Sequence, residues 1–342
     1  PEALEHLNRY TSYCESHFGR ENFYSGTAYK RLGNIYLDQG DYSAALSALN
    51  EAIDIFHSIS EDGYNQDLPG SYLFRSRTYG YLGDWENAIA DNWSAINLYQ
   101  KMRKKNDPRI GEAFLALAQL HRNFNRLDSA KTAIDKALQI LVNYQDEIAE
   151  STQQNFQNPV LYLPKAYLLK AQLTLLQRDS DSTDSIAANL LDRAIVTLRN
   201  NKSIYEGEEA QLGLYEAHEM VFNLALDICY KRYKNSGEWK FVEKMLALNE
   251  ARRTLVLRRQ LSAFGSVQYF GVPDSVVSKE RTLLGKLTGK YTIADSSENY
   301  RDIEAEYLKL KAQIERDHPE YFELRFQEST SAIAAIRSNI LS

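Results

Sequence analysis

Residues 25–57 contain two amphipathic stretches joined by a turn, and this feature constrains the fold more than any other. The first stretch carries four residues at helical spacing: Tyr29, Leu32, Gly33 and Tyr36. The second carries three: Ala45, Leu49 and Ala52. The tripeptide at 39–41, Gln-Gly-Asp, separates the stretches and is typical of a tight turn. Because helices approach closely only where side chains are small, Gly33 and Ala45 predict two antiparallel helices in close contact.

The same pattern recurs along the chain with a period of 42–43 residues. Gly83-Asp84-Trp85 follows Gly40-Asp41-Tyr42 by 43 residues, and Asn125-Arg126-Leu127 occupies the turn of the next pair. We predict a helix at 1–19, which corresponds to the second half of a preceding repeat, and then helix pairs at about 26–59, 69–100, 111–142, 164–198 and 208–263. In the fourth pair, the polar residues 178–184 predict an exposed turn.

The first pair resembles a tetratricopeptide repeat (TPR), whose signature has a large residue, Leu-Gly, Tyr, Ala, a large residue and Ala at these intervals. The usual period of that family is 34 residues, and the extra residues here lie between pairs, at 58–70 and 101–109. Repeats of this length resemble those of kinesin light chains and their bacterial relatives. The resemblance implies an all-α fold, a right-handed α-solenoid of TPR helix pairs.

The repeat pattern ends after residue 263. For residues 264–342 we predict a helical hairpin that links the array to a further domain. Its second helix carries apolar residues at the spacing of a coiled-coil seam: Ile303, Tyr307, Leu310 and Ile314. We also predict a linker at 265–271, a short extended piece at 324–326 and a last amphipathic helix at 331–341.

The region from Leu246 onward resembles the segment that joins TPR arrays to a CHAT domain, a caspase-like cysteine protease domain. The resemblance rests on five features in order: residues 250–253, Val272-Pro273, Glu280, Pro319-Glu320-Tyr321 and the helix at 331–341. The family's catalytic His-Gly and Cys are absent from this chain, so the resemblance implies a protease domain beyond Ser342. We therefore expect the chain itself to have no enzymatic activity.

Composition and charge exclude several other functions. The net charge of −6 argues against direct nucleic-acid binding. The sequence contains no run of 18 apolar residues, the length that would indicate a membrane-spanning helix. The two cysteines, Cys14 and Cys229, are far apart and belong to no zinc-binding pattern. His218-Glu219 begins like a zinc-protease motif, but Phe222 stands where the second histidine is required. We expect a cytoplasmic protein without metal or cofactor.

A groove along the first helices of the pairs is the candidate binding site. Residues of these helices outside the signature positions are expected to face it and to contact a protein or peptide: Lys30, Asn34, Asp38, Arg77, Tyr81, Gln119 and Arg122. Lys30 and Asn34 match the first pair of a clamp by which some TPR proteins bind a peptide's terminal carboxylate. Phe74, Glu112 and Ala116 depart from the rest of that clamp, which argues against it.

Two functions are compatible with the sequence. The first is a protein–protein interaction scaffold that binds a partner and regulates an attached CHAT protease. The second is a free-standing TPR adaptor or assembly module with no attached enzyme. A third function, an enzyme acting by itself, is disfavoured because no set of acid, base and nucleophile occurs in a plausible arrangement. We therefore predict no catalytic residue in this chain.

Overall fold

The computed structural model describes residues 2–60, 65–150, 162–176, 181–200, 208–263, 272–287, 300–319 and 322. Every regular element within these ranges is an α-helix, and the predicted all-α fold is confirmed. The residues group into two compact units, 1–147 and 148–342. That grouping follows packing and not repeats, so the predicted boundary at residue 263 stays a prediction.

The first unit is built from α1 to α7, and α7 continues past its end. The helices are α1 Glu2–Phe18, α2 Phe23–Gln39, α3 Tyr42–Ser58, α4 Leu68–Leu82, α5 Trp85–Met102, α6 Pro108–Asn123 and α7 Leu127–Glu150. Helix α2 packs on α3 and α4 packs on α5, while α3 contacts α4 and α5 contacts α6. In addition, α2 contacts α4 and α4 contacts α6, so the first helices of successive pairs lie side by side.

A Gly-Asp dipeptide ends the first helix of a pair and begins the second. Gly40 has a left-handed backbone with φ 78°, and the N–H of Asp41 donates to the carbonyl oxygen of Tyr36. The carboxylate of Asp41 then accepts from the N–H of Ala44 at the start of α3. Gly83 and Asp84 repeat this geometry between α4 and α5. Between α6 and α7 the left-handed position is occupied by Asn125, with φ 56°.

Glycines bring the helices of a pair into direct contact. A Cβ added at Gly33 would lie 2.5 Å from Cγ of Leu49, which confirms the predicted close approach of α2 and α3. A second contact of the same kind lies near the other end of the pair, where a Cβ at Gly26 would be 2.7 Å from the ring of Phe56. Gly111 and Leu141 form the corresponding contact between α6 and α7.

The second unit contains six further helices in its described residues: α8 Tyr162–Leu175, α9 Asp181–Asn200, α10 Glu208–Ser236, α11 Lys240–Ala263, α12 Asp274–Leu287 and α13 Tyr300–Asp317. Helix α9 packs on α8 and on α10, and α10 also packs on α11. The exposed turn predicted at 178–184 is wrong for its last residues. Helix α9 begins at Asp181, and Asp184 is only 1% exposed because it packs against α10, with its Oδ2 3.2 Å from Nζ of Lys231.

Helices α12 and α13 pack on each other and share a small apolar core. The predicted seam of α13 is buried in that core, which also includes Leu283 of α12 and Phe322. The predicted hairpin contact is therefore confirmed. The predicted linker at 265–271, the extended piece at 324–326 and the last helix at 331–341 lie outside the described residues.

Candidate partner-binding groove

A cavity of about 400 Å³ opens in the first unit between α2, α4 and α6. We call it the basic cavity. Its walls come from these three helices, from the end of α5 and from the segments that precede α4 and α6. The lining residues are Lys30, Gln66, Asp67, Gly70, Leu73, Phe74, Arg77, Tyr99, Arg103, Arg109, Glu112 and Ala116.

One cation of the basic cavity is already neutralised within the protein. Nζ of Lys30 lies 2.5 Å from Oδ1 of Asp67, and both side chains are mostly buried. The hydroxyl of Thr27 donates to the other carboxylate oxygen of Asp67 at 3.1 Å. Lys30 is therefore held by Asp67, the residue directly before α4, and contributes little net charge to a ligand.

Three arginines supply the remaining positive charge: Arg77 from α4, Arg103 directly after α5 and Arg109 from the first turn of α6. Among the described residues, none of the three guanidinium groups forms a hydrogen bond or an ion pair with a carboxylate. Nε of Arg103 is buried and has no hydrogen-bond partner there. Glu112 is the one carboxylate in the lining other than Asp67. The cavity thus has an excess of positive charge, although the whole chain has a net charge of −6.

The apolar part of the wall is formed by Leu73, Phe74 and Ala116, next to the phenol of Tyr99. Tyr99 is 6% exposed, and burial raises its pKa well above the ordinary value, with a further increase from the charge of Glu112. Its hydroxyl therefore keeps its proton near neutral pH and can donate a hydrogen bond. The cavity offers an apolar surface beside several hydrogen-bond donors, the combination that fixes a ligand's orientation.

The predicted groove residues divide into two sets. Lys30 and Arg77 line the basic cavity. The other five do not: Asn34, Asp38, Tyr81, Gln119 and Arg122. Asn34 donates to Asp38 on α2 at 3.4 Å, and the ring of Tyr81 stacks on Tyr42 of α3 with 5.2 Å between centroids. The three residues that depart from the carboxylate clamp, Phe74, Glu112 and Ala116, all lie in the lining.

Sequence reasoning missed Asp67, Tyr99, Arg103 and Arg109. Three of these four lie at 58–70 and 101–109, the extra residues that lengthen the period to 42–43. The signal that could have found them is this lengthening itself. An insertion between two pairs runs from the end of a second helix to the start of the next first helix, so its charged residues can border the groove.

Other kinds of site have no support in the described part of the chain. No cluster of three or more His, Cys, Asp or Glu side chains that could hold a metal ion occurs among the described residues. None of the helices described is both long enough and apolar enough to cross a membrane. Both cysteines are buried, and burial raises the pKa of the Cys229 thiol.

Comparison with known families identifies the repeats. Models of the tetratricopeptide repeat match residues 27–58 and residues 111–140. The chain contains TPR repeats. The two matches correspond to helix pairs α2–α3 and α6–α7, and the TPR pair is a non-catalytic scaffold that generally binds proteins or peptides. No curated protein matches the chain in sequence.

Two solved structures resemble the chain at low sequence identity. BtubC (BKLC) from P. vanneervenii shares 14% identity and has a TM-score of 0.51, and the match covers 75% of this chain and 91% of that one. A kinesin light chain from Podosopora anserina with nearly identical TPR-like repeats shares 13% identity, with a TM-score of 0.43, over 68% of this chain and 96% of that one. At this level of identity, the first similarity supports the fold alone.

Proposed function

We propose that this chain is a protein–protein interaction scaffold and that the basic cavity lies within its partner-binding groove. The observation that supports this most is the basic cavity, with three arginines and an apolar wall between the first helices of successive pairs. An extended peptide laid across α2, α4 and α6 would place an apolar side chain against Phe74 and polar groups against the arginines.

Affinity capture with the full chain as bait tests this proposal. Phe74→Ala combined with Arg77→Ala removes one aromatic and one cationic contact inside the basic cavity. Tyr24→Ala combined with Arg31→Ala is the matched control, because both residues are exposed on α2 and neither lines the cavity. We expect partners retained by the wild type to bind the control and to be lost from the Phe74/Arg77 variant. Partners that stay bound to that variant would contradict the groove assignment.

We further propose that this scaffold is the partner-binding and regulatory region of a CHAT-domain protein. The support is the order of sequence features after Leu246, from residues 250–253 through Val272-Pro273 to the predicted helix at 331–341. The buried position of Glu280, 1% exposed on α12, fits a fixed role for this residue in the linker. Sequencing the transcript tests the proposal. We expect the reading frame to continue past Ser342 into a domain with a His-Gly pair and a later Cys. A stop codon at that point would instead support the free-standing adaptor.

A further inference from the structure

We infer that the basic cavity selects partner segments that carry a phosphorylated serine or threonine. This inference rests on the proposed function of the groove and names the chemistry that it recognises. It begins from the charge left in the cavity once the internal pair of Lys30 and Asp67 is set aside. Three arginines then face one carboxylate, Glu112.

The excess charge matches a phosphate better than a carboxylate. A phosphorylated side chain carries about −1.5 to −2 charges at neutral pH and has three strong acceptor oxygens. A single carboxylate carries one negative charge, and of the two carboxylates that line the cavity Asp67 is paired with Lys30. A dianionic ligand would neutralise the excess.

The placement of the donors also favours a phosphate. Arg77, Arg103 and Arg109 belong to three different elements that converge on one cavity, so each can approach the same ligand from its own side. A guanidinium group forms paired hydrogen bonds with a phosphate, and a buried donor without an acceptor is unfavourable. Nε of Arg103 is such a donor among the described residues. The protonated hydroxyl of Tyr99 can add a further donor.

The remaining lining suits the peptide that carries the phosphate. Phe74, Leu73 and Ala116 are apolar and border the same cavity as the arginines. The adjacent side chain of a bound segment can pack there while the phosphate contacts the guanidinium groups. Free inorganic phosphate would lack this second contact and is expected to bind much more weakly than a phosphopeptide.

The test uses the full chain and fluorescent pools of short degenerate peptides with one fixed central residue. The pools carry phosphoserine, phosphothreonine, serine or glutamate at that residue, and fluorescence anisotropy measures binding. We expect the phosphorylated pools to bind at least about tenfold more tightly than the serine and glutamate pools, the effect of one or two charge-assisted hydrogen bonds.

Two variants and a control connect the binding to the cavity. Arg103→Gln is expected to weaken binding of the phosphorylated pools about tenfold, and Arg103→Lys, which retains charge but loses the guanidinium fork, to weaken it less. Arg31→Gln on α2 should have no effect. Circular dichroism verifies that each variant keeps its helical content.

The outcomes distinguish failure of phosphate selection from failure of the proposed peptide groove. Equal binding of the serine or glutamate pools, lost on Phe74→Ala, would overturn phosphate selection and leave the peptide groove intact. Phosphopeptide binding that survives Arg103→Gln would also overturn the inference. Failure of every pool to bind, together with capture of partners by the Phe74/Arg77 variant, would overturn both.

Discussion

Asn92 of α5 is completely buried, yet among the described residues neither its Nδ2 nor its Oδ1 has a hydrogen-bond partner. It occupies the position that Leu49 holds one pair earlier, and Ser76 occupies the position of Gly33. In the first pair a leucine packs directly on a glycine. In the second pair the Ser76 hydroxyl donates to the carbonyl oxygen of Ala88, and Asn92 stands at the position of the leucine. The two substitutions are therefore physically coupled.

We predict a non-additive double-mutant cycle at this pair. Asn92→Leu alone should raise the free energy of unfolding little, because the new leucine would clash with the side chain of Ser76. At the same site in the first pair, a Cβ added at Gly33 would lie only 2.5 Å from Leu49. Ser76→Gly alone should destabilise by about 1 kcal/mol. The double variant should be about 1–3 kcal/mol more stable than the sum of the two single effects predicts, since only the double variant removes the clash between the new leucine and Ser76. Urea unfolding followed by tryptophan fluorescence measures this, as Trp85 and Trp93 both lie in α5. Additive effects would contradict the coupling.

A second residue-scale prediction concerns the ion pair of Arg75 and Asp91. Nε of Arg75 donates to Oδ2 of Asp91 at 2.7 Å, and Asp91 is 7% exposed. These residues stand where the first pair has Leu32 and Ala48. Asp91→Ala alone leaves a poorly solvated guanidinium and should cost about 3–5 kcal/mol of unfolding free energy.

Arg75→Leu combined with Asp91→Ala recreates the apolar combination of the first pair. This double variant should lie within about 1 kcal/mol of the wild type, because no charge is left without a partner. Calorimetric unfolding compares the two variants. A double variant as unstable as Asp91→Ala would show that the pair itself is required.

At the scale of the element, the turns depend on one left-handed residue each. Gly83 has φ 80° and ends α4, where a side chain is strained. Gly83→Ala should therefore lower the unfolding free energy by about 1–2 kcal/mol. Gly70→Ala is the matched control: Gly70 lies inside α4, where an added Cβ would have only an ordinary contact of 3.8 Å with the Tyr99 hydroxyl. Its stability should be unchanged or slightly raised. Equal losses in thermal unfolding would contradict this explanation.

The segment before α4 controls the charge of the basic cavity through Asp67. This residue pairs with Lys30 but caps no backbone N–H of α4 with its side chain. Asp67→Asn should leave the helix intact and free the Lys30 ammonium for a ligand. We expect phosphopeptides to bind about threefold to tenfold more tightly. Anisotropy titration with the phosphorylated pools measures the change, and weaker binding would contradict the role assigned to Asp67.

The elements could be predicted from the sequence because their signals are local. Gly40 and Gly83 mark turns by the backbone that they permit, and Gly33 and Leu49 pack by matching size. The basic cavity could not be predicted in this way, because Arg103 and Arg109 flank a segment whose path depends on the packing of α5 against α6. Periodicity carries no information about such a path. The same limit explains Asp184, whose polar surroundings in sequence gave no sign of its burial beside Lys231.

At the scale of the whole molecule, an acidic chain carries a basic cavity in its first unit. The overall charge repels an anionic ligand at long range, while the arginines attract it at contact. Because the contact is short-ranged and Nε of Arg103 is buried, we expect phosphopeptide affinity to fall only modestly as salt increases. Anisotropy titrations across a salt series measure this. A steep loss of affinity would indicate diffuse binding to exposed cations instead.

Site-specific photo-crosslinking in the 342-residue chain tests the central claim most directly. Benzoylphenylalanine replaces Phe74 inside the basic cavity or, in the control, the exposed Tyr24 on α2. Each version is incubated with partners captured by the wild type and then irradiated. We predict a covalent adduct from position 74 and none from position 24. An adduct from position 24 without one from position 74 would contradict the assignment of the basic cavity as the partner-binding site.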